Sequence, residues 1–580
     1  MSKVFEYMKS YTWMMLCVVV LLTAEAMFAL MLPGYMADIV NDGVLPGHLS
    51  VIWRGGLIML ALTLLSMIAA LITGYFTART ATGVANDLRE DLFRKVIRFG
   101  AAEMNRFSTS SLITRTTNDI MQVQNTLMMV IRQFIYMPII GVGGIIRAID
   151  RSASMAWIVG LSTAVMMVLM VIMFVVALPK FKIWQDLIDR LNLVSRENLS
   201  GILVVRAFST QKFEKQRFEV ANRTLAGIDL FLNRSFAVMM PLIMLVLNLT
   251  TALIVWVGAE QASAFRADIG DIFAFLQYGM LIIFAFLMIA ITFIMVPRAV
   301  VSANRIKEVL ETQSSIAYSE NPVRLSGDFK GVIEFRNVSF RYPDATADED
   351  NVLEGVSFTA RPGETTAIIG ATGAGKSSVL KLLLRFYDAN DGGIYLDGID
   401  VRDIHKEDLH DKIGYVPQKA SLFTGTIRSN LMYADKNASQ EAIFAAAEIA
   451  QATEFIKEKP EGYESNVAQG GSNFSGGQKQ RISIARALVK NAPINVFDDS
   501  FSALDLKTDA LLRAALKENM SGCTVLVVAQ RISTIMNADQ IVVLDNGKVV
   551  GLGTHEHLMQ SCEIYKEIAA SQLSQEEMGA

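Results

Sequence analysis

The chain has 580 residues, of which 52% are hydrophobic, and its formal net charge is −4. A chain of this length forms several domains rather than one core. The acidic balance provides no basic footprint for nucleic-acid binding, so no nucleic-acid partner is expected. Cys17, Cys523 and Cys562 are too scattered for a zinc site or a disulfide framework.

Six apolar segments follow one another in the first half of the chain. Each is long enough to cross a hydrocarbon core of about 30 Å. The first, 13–32, carries Glu25 and lacks a small-residue cleavage site, so we predict a membrane span there rather than a cleaved leader. The five other predicted spans lie at 56–77, 128–149, 155–178, 236–258 and 272–296.

The basic residues orient these spans. The stretches after the second and fourth spans are rich in Arg and Lys, whereas the connections at 152–154 and 261–269 are short. Positively charged loops stay on the cytoplasmic side of a membrane. We therefore predict a multi-pass protein of an inner or plasma membrane, with both termini and the second half of the chain in the cytoplasm.

A change of composition divides the chain. The apolar periodicity stops near residue 312, and serines, an Asn-Pro pair and glycines follow. We predict a membrane all-α six-helix domain with long cytoplasmic extensions at 1–311, a linker at 312–330, an α/β domain at 331–575 and a tail at 576–580. The polar segment after Ile568 is predicted to be frayed.

A glycine-rich segment in the α/β domain matches the P-loop pattern G-x-x-x-x-G-K-[ST]. It follows a strand-like apolar run and opens into a helical pattern, which is the context that this motif requires. Glycines let successive backbone N–H groups turn around a phosphate, the lysine reaches the β- and γ-phosphates, and the serine hydroxyl holds Mg²⁺. We predict an ATP and Mg²⁺ site at Gly370, Ala371, Thr372, Gly373, Ala374, Gly375, Lys376, Ser377 and Ser378.

A second motif follows the P-loop, with the sequence Phe474, Ser475, Gly476, Gly477 and Gln478. After it, an apolar run ends in two adjacent carboxylates. The order of P-loop, signature motif and carboxylate-ended strand resembles the nucleotide-binding domain of ABC ATPases. The resemblance covers about 330–575 and implies a transporter driven by ATP.

The resemblance also implies individual roles. Asp498 and Gln418 would hold Mg²⁺ with the P-loop serine, and Tyr342 would stack on adenine. The alternative for Tyr342 is an ordinary tyrosine at the end of a strand. A loop that crosses to a partner chain in this family matches Ser502, Ala503, Leu504 and Asp505.

Three residues depart from the family pattern. Asp499 stands where the family has the glutamate that acts as general base, and Gln530 stands where it has a switch histidine. Gln469, before the signature motif, replaces a glutamate of many relatives. A shorter carboxylate misplaces the attacking water, and an amide cannot become charged as an imidazole can. We therefore expect a site that binds ATP and hydrolyses it slowly.

The signature motif is intact except for Phe474 in place of leucine. In the resembled family, each of two composite sites combines the P-loop of one chain with the signature of the other. The whole chain resembles the degenerate-site subunit of bacterial heterodimeric ABC multidrug exporters. The implied partner is a second half-transporter with an intact catalytic glutamate and switch histidine, in a bacterial cell membrane.

Two cytoplasmic segments resemble the coupling regions of six-helix ABC exporters. They begin at Asn105 and Glu197, and the second includes Val205, Arg206 and Phe208. The resemblance implies that each rests on an ATPase domain, the second on that of the partner. The alternative is a pair of solvated amphipathic helices without a partner.

The membrane half says less about the cargo. Glu25, in the outer half of the first span, would either attract a cationic substrate or form an internal ion pair with Arg147. We expect an exporter of drugs, lipids or other small amphipathic molecules in contact with membrane lipid. An importer on the same fold and an ATP-gated channel stay open as alternatives, and a homodimer would leave both ATP sites degenerate.

Overall fold

The computed structural model describes residues 2–264, 268–317, 319, 321–325, 327–345 and 350–572. The chain divides into two compact units. The first consists of residues 1–97 and 110–312, and the second of residues 98–109 and 313–580. The tail predicted at 576–580 lies outside the described residues.

Long helices build the first unit, and a short helix within their range, α4, belongs to the second. Two π-helical turns, Ile39–Val44 and Arg115–Asp119, join consecutive helices. The helices are α1 (Ser2–Met8), α2 (Thr12–Asp38), α3 (Leu49–Ile97), α4 (Ala101–Phe107), α5 (Thr109–Thr114), α6 (Ile120–Arg151), α7 (Ala156–Ser200), α8 (Ile202–Ala207), α9 (Gln211–Ser263) and α10 (Ile269–Glu311).

Six helical segments of the described chain are long and apolar enough to cross a membrane, and each contains one predicted span. In their most apolar windows only 11% to 31% of the residues are buried inside the protein. The remaining apolar side chains face outward, as they do when lipid or another chain surrounds a helix. The prediction of six membrane-crossing helices is therefore confirmed.

Arg151 connects three of these helices at one end of the unit. Its Nη1 atom lies 2.9 Å from Asp38 Oδ1 at the end of α2 and 3.5 Å from Asp271 Oδ1 at the start of α10. Its Nη2 atom donates a hydrogen bond of 3.2 Å to the carbonyl oxygen of Gly34. Because α2 leaves and α10 enters at the same end as the short 152–154 connection, this is the outer end in the predicted orientation.

The second unit contains the remaining helices and all the strands. Its helices are α11 (Lys376–Leu383), α12 (Lys406–Asp411), α13 (Ile427–Leu431), α14 (Gln440–Ile449), α15 (Thr453–Lys457), α16 (Gly476–Val489), α17 (Leu506–Asn519), α18 (Ile532–Ile535), α19 (His555–Ser561) and α20 (Glu563–Ala570). Its strands are β1 (Ile333–Phe340), β2 (Leu353–Ala360), β3 (Thr365–Gly370), β4 (Asp391–Leu396), β5 (Ile399–Asp400), β6 (Ile413–Val416), β7 (Gly425–Thr426), β8 (Asn466–Val467), β9 (Ile494–Asp498), β10 (Thr524–Val528), β11 (Gln540–Asp545) and β12 (Lys548–Gly553).

The strands form two main sheets. The larger has the order β12-β11-β3-β10-β9-β6, and all its pairs are parallel except the edge pair β11–β12. The antiparallel sheet has the order β2-β1-β4-β5. Burial of β3 and β9 along nearly their whole length explains why both read as continuous apolar runs. The predicted fold class, a six-helix membrane domain followed by an α/β domain, is confirmed.

Helix α4 packs within the second unit although it stands between two membrane helices in the sequence. The amide of Asn105 donates to the Tyr387 hydroxyl at 3.2 Å, and the Ser315 backbone N–H donates to Glu103 Oε1 at 2.9 Å. Phe107 is buried. These contacts attach the short helix to the α/β unit.

The predicted fraying after Ile568 is wrong for the residues that the structure describes there. Ala569 is fully buried, and Gln572 makes side-chain hydrogen bonds. The reason is that α20 packs Tyr565 and Ala569 into the apolar core of the α/β unit. Polar composition alone does not reveal this amphipathic face.

The Arg151 contacts yield a stability prediction. Replacing Arg151 with Leu leaves Asp38 and Asp271 without their shared cation, and the cost should be about 1–2 kcal/mol because all three groups are partly exposed. The midpoint of thermal unfolding of the purified protein should fall, followed by tryptophan fluorescence. Arg147→Leu removes an exposed charge from the same helix and is the control. An equal shift in both variants would contradict the role of Arg151.

Candidate active site

Four neighbouring parallel strands bring the sequence motifs together. Val528 of β10 is in register with Ile368 of β3 on one side and with Asp498 of β9 on the other. Because parallel strands end at the same edge of a sheet, the segments that follow them meet there. The P-loop follows β3, the carboxylate pair ends β9, Gln530 follows β10 and Gln418 follows β6.

The P-loop has the backbone that its glycines permit. Gly373 and Gly375 have φ values of +89° and +93°, a region that L side chains rarely adopt. A Cβ atom at Gly370 would lie 2.1 Å from the Leu544 carbonyl oxygen, so only glycine fits there. The Lys376 ammonium donates to the carbonyl oxygens of Gly370 and Ala371, at 2.8 Å each.

A cavity of about 380 Å³ opens over this loop. Two apolar residues that the sequence did not single out, Val352 and Val528, contribute to its wall. Of the predicted P-loop residues, Gly370, Ala371 and Ala374 do not line it. The predicted site residues that do line it are Tyr342, Thr372, Gly373, Gly375, Lys376, Ser377, Ser378, Gln418, Asp498, Asp499 and Gln530.

Two oxygens at the base of the cavity fit a magnesium ion. The Ser377 hydroxyl donates to Asp498 Oδ1 at 3.0 Å, so a hydroxyl and a carboxylate converge. Hard oxygen ligands of this kind, completed by phosphate and water, suit Mg²⁺. Burial raises the pKa of Asp498 and lowers the pKa of Lys376, since each charged form loses water. A bound cation would favour the charged form of Asp498, and a bound phosphate would favour the charged form of Lys376.

Tyr342 stands at the cavity wall with its ring held by other side chains. Its hydroxyl is hydrogen-bonded to Ser378 Oγ at 2.9 Å and accepts from Lys381 Nζ at 3.2 Å. The rings of Phe340 and Tyr387 pack edge-on against it, with centroids 4.9 and 5.1 Å away. The ring is thus fixed beside the P-loop, where a flat base could lie against it.

The carboxylate of Asp499 is bound by two amides. Gln530 Nε2 donates to Asp499 Oδ2 at 2.8 Å, and Gln418 Nε2 donates to the same oxygen at 3.2 Å. The backbone of Asp499 is left-handed, with φ of 47°, which aspartate tolerates better than most residues. Because the side chain is short and both donors reach it, the carboxylate lies toward the two glutamine loops.

Gln572 is a residue of this region that the sequence analysis missed. Its Nε2 atom donates to the Gln530 carbonyl oxygen at 2.9 Å, and its Oε1 atom accepts from the Ile532 backbone N–H at 2.8 Å. The end of α20 therefore fixes the loop that carries Gln530. No motif surrounds Gln572, so only its position in space reveals it.

The signature residues lie outside this cavity. Ser475 caps α16, where its hydroxyl accepts from the Gln478 N–H at 3.3 Å while the Gln478 side chain accepts from the Ser475 N–H at 3.1 Å. Ser475 and Gly476 are exposed, whereas Phe474 is buried in the apolar core. Phenylalanine thus replaces leucine at a core position, without altering the exposed helix start.

The four-residue loop after the carboxylate pair runs beside the signature. A Cβ atom at Gly477 would lie 3.3 Å from the Ala503 carbonyl oxygen and 3.7 Å from the Leu504 side chain. The Ser502 hydroxyl donates to the Asp499 carbonyl oxygen at 2.9 Å, and Asp505 caps α17. This loop therefore connects the Asp499 backbone with the exposed signature.

In the membrane unit, Glu25 pairs with an arginine other than the one predicted. Its Oε1 atom lies 3.3 Å from Arg132 Nη2, so the predicted pairing with Arg147 is wrong. The two arginines stand 15 residues apart on α6, about 22 Å along the helix. Glu25 also lies 13 residues before Asp38, or about 20 Å along α2.

Glu25 is 5% exposed, and its second oxygen has no hydrogen-bond partner among the described residues. Arg132 is half-exposed, with half of its side chain open to the surroundings. The buried carboxylate of Glu25 therefore binds the guanidinium of Arg132 from inside the unit, while half of the arginine side chain stays accessible. The pair therefore gives Arg132 a fixed position.

The second predicted coupling segment contains α8 and is apolar on its surface. Leu203 and Phe208 are 77% and 76% exposed, and Leu199 and Val204 are exposed beside them. Neighbouring apolar side chains of this kind mark a surface that another protein covers. Whether that protein is the ATPase domain of a partner stays a prediction.

Both halves of the chain match known protein families. Residues 12–286 match the model described as ABC transporter transmembrane region, and residues 353–502 match the model described as ABC transporter. The fold is similar to that of a bacterial Atm1-family ABC exporter solved with ATP bound, with a TM-score of 0.78. The similarity covers 98% of this chain and 99% of that one, at 24% identity.

Similar curated proteins extend over almost the whole chain. An uncharacterized ABC transporter ATP-binding protein of Mycobacterium tuberculosis is 40% identical over 98% of this chain and 97% of its own length. A second, of Bacillus subtilis, is 36% identical over 99% of both chains. An ATP-dependent lipid A-core flippase of Aromatoleum aromaticum is 32% identical over 87% of this chain and 82% of its own. The chain is a multi-pass membrane protein that belongs to the ABC transporters, with the transmembrane region and the ATP-binding domain fused in one polypeptide.

Proposed function

We propose that this chain is one half of a heterodimeric exporter of small amphipathic molecules, and that its own ATP site hydrolyses slowly. Membership of the ABC transporters implies ATP binding and hydrolysis coupled to transport. The observation that carries the finer proposal is the Asp499 carboxylate, whose Oδ2 atom accepts from both Gln530 and Gln418. A general base already engaged by two donors is poorly placed to accept a proton from water.

The other residues of the cavity suit binding of ATP. The P-loop N–H groups would surround the phosphates, Lys376 would turn from its two carbonyl partners to the γ-phosphate, and Ser377 with Asp498 would hold Mg²⁺. Mg²⁺ bridges phosphate oxygens and neutralises their charge. Tyr342 would lie against the adenine. ATP would thus be held tightly while the attacking water is left without a well-placed base.

The intact signature suits a role at the partner's site. Ser475 and Gly476 stand exposed at the start of a 14-residue helix, where backbone N–H groups and the helix dipole favour an anion. The partner would be a half-transporter with the catalytic glutamate and switch histidine that this chain lacks. A homodimer would contain two slow sites, which is why we propose a heterodimer.

Export of an amphipathic molecule is supported by the name of one relative, the ATP-dependent lipid A-core flippase. An importer or an ATP-gated channel would use the same fold. Inside-out vesicles containing the heterodimer should accumulate an amphipathic dye against its gradient when ATP is added. Equal dye concentrations on both sides would indicate a channel, and ATP-driven loss of dye from loaded vesicles would indicate import.

The two ATP sites should respond differently to substitution. Removing an effective general base costs about 10²–10⁴-fold in rate, and the partner's glutamate is expected to show this loss. Asp499→Ala should lower turnover only slightly, because that carboxylate is held away from the water. Ser475→Ala and Gly477→Asp should be severe, since both change the signature. Steady-state ATPase rates of the reconstituted heterodimers measure these effects.

A gain of function provides the opposite test. With the partner's glutamate changed to glutamine, the pair Asp499→Glu and Gln530→His should raise ATP hydrolysis at the site of this chain. Gln530→His alone, which leaves the short carboxylate, is the matched control and should do little. If Asp499→Ala is as damaging as the partner's change, the two sites are equivalent and the proposal of a slow site is wrong.

The exposed α8 segment yields a prediction about coupling. Phe208→Ala removes an aromatic anchor that can contribute about 2 kcal/mol or more when it is buried in a partner. Basal ATPase activity should survive while dye transport falls. Phe93→Ala, which changes another exposed phenylalanine, on α3, is the control. Normal transport by the Phe208 variant would argue against docking on the partner.

The Glu25–Arg132 pair yields a prediction about the membrane unit. Glu25→Gln should strand the Arg132 charge and lower the yield of folded protein, whereas the double change with Arg132→Gln should restore it. If Glu25 instead selects cations, Glu25→Gln should fold normally and lose transport of cationic dyes alone. Yield by size-exclusion chromatography and transport of cationic and neutral dyes separate the two outcomes.

A further inference from the structure

A second cavity, of about 470 Å³, lies inside the membrane unit between α7, α9 and α10. Four methionines contribute to its apolar wall, Met170 and Met173 on α7 and Met239 and Met240 on α9. Its volume falls in the range of about 300–1,000 Å³ that is typical of small-molecule sites. Flexible, polarisable methionine side chains adapt to apolar ligands of varied shape.

Each of the three helices that enclose this cavity contains a proline. Pro179, Pro241 and Pro297 stand inside α7, α9 and α10, one in each helix. A proline inside a helix removes one backbone hydrogen bond. Met240 directly precedes Pro241, and Pro297 itself lines the cavity.

The cavity extends from the apolar interior to the cytoplasmic surface of the membrane. Arg298 follows Asp271, at the outer end of α10, by 27 residues, or about 40 Å of helix. That length exceeds a hydrocarbon core of about 30 Å. Trp184 is similarly distant from the start of α7, while Met170 is only half as far. Met170 therefore lies in the inner leaflet and the Trp184–Arg298 end lies at the headgroup level.

Arg298 provides the charge of this cavity. No acidic residue lines the cavity among the described residues, and Arg298 makes no side-chain hydrogen bond or ion pair in the part of the chain that the structure describes. Asp229, the nearby carboxylate on α9, accepts from Trp184 Nε1 at 3.2 Å. The cavity thus combines an apolar body with one cationic end.

We propose that this cavity binds a small amphipathic anion from the inner leaflet, with its apolar part among the methionines and its acidic group at Arg298. The inference rests on the proposed export function and specifies its substrate class. It assigns a preference for anions, in contrast to the cation preference that Glu25 alone suggested. A volume of this size suits one chain or ring system rather than a complete two-chain phospholipid.

Quenching of Trp184 fluorescence tests the binding directly. The probes are a chain-brominated alkyl sulfonate and a trimethylammonium compound of the same chain, added to the full chain in nanodiscs. The sulfonate should quench saturably and the cation should not. Trp184→Phe should remove the saturable component, because Trp184 is the one tryptophan that lines the cavity in the described structure.

Charge variants complete the test. Hydrogen bonds to charged groups contribute about 1.5–3 kcal/mol, so Arg298→Gln should weaken sulfonate binding about 10- to 100-fold. Arg298→Lys should retain most of the affinity, and Arg234→Gln, an exposed arginine on α9 outside the cavity wall, should retain all of it. Unchanged affinity in Arg298→Gln, or equal binding of the cation, would overturn the proposal.

Competition identifies the source of the ligand. Nanodiscs rich in phosphatidylglycerol should bind the sulfonate as tightly as those of neutral lipid if a complete phospholipid does not fit. Strong competition by phosphatidylglycerol would overturn the small-ligand assignment. The assay needs neither the partner nor ATP turnover, so its failure would leave the ATPase asymmetry standing, and equal ATP sites would leave the binding result standing.

Discussion

The parallel pairing of β3, β9, β10 and β6 is the constraint on which the ATP site depends. Each strand delivers one loop to the same sheet edge, so residues far apart in sequence become neighbours. Gln418 and Gln530 meet at one oxygen of Asp499 only because β6 and β10 flank β9. These hydrogen bonds follow from the order of the strands. A small change in one of the side chains therefore alters the hydrogen bonds of the other loops.

Several features of this arrangement could be predicted from the sequence. The P-loop spacing identified the phosphate loop, and the apolar run ending in Asp498 identified the strand beside it. Both signals are local, because a strand followed by a tight turn needs particular residues at particular positions. The apolar length of the membrane helices is equally local.

Other features needed the structure. An ion pair with Arg147 is one of the two alternatives that the sequence leaves for Glu25, whereas the buried carboxylate contacts Arg132. The sequence of one helix does not determine its register against another. The role of Gln572 depends on how α20 folds back on the loop of Gln530. The membership of α4 in the α/β unit likewise depends on contacts between residues that lie hundreds of positions apart, such as Asn105 and Tyr387.

Arg151, at the end of α6, opposes separation of the helices at this end of the membrane unit. Arg151 joins the ends of α2 and α10 through charges that are partly open to solvent. These contacts must break before α2 can separate from α6 at this end. Opening a path between the two helices therefore carries an additional free-energy cost. Dissolved ions screen partly exposed charges, so this free-energy cost falls as the salt concentration of the solution at this end rises. The solution at this end of the unit thereby acts on the separation of the helices without any contact with nucleotide.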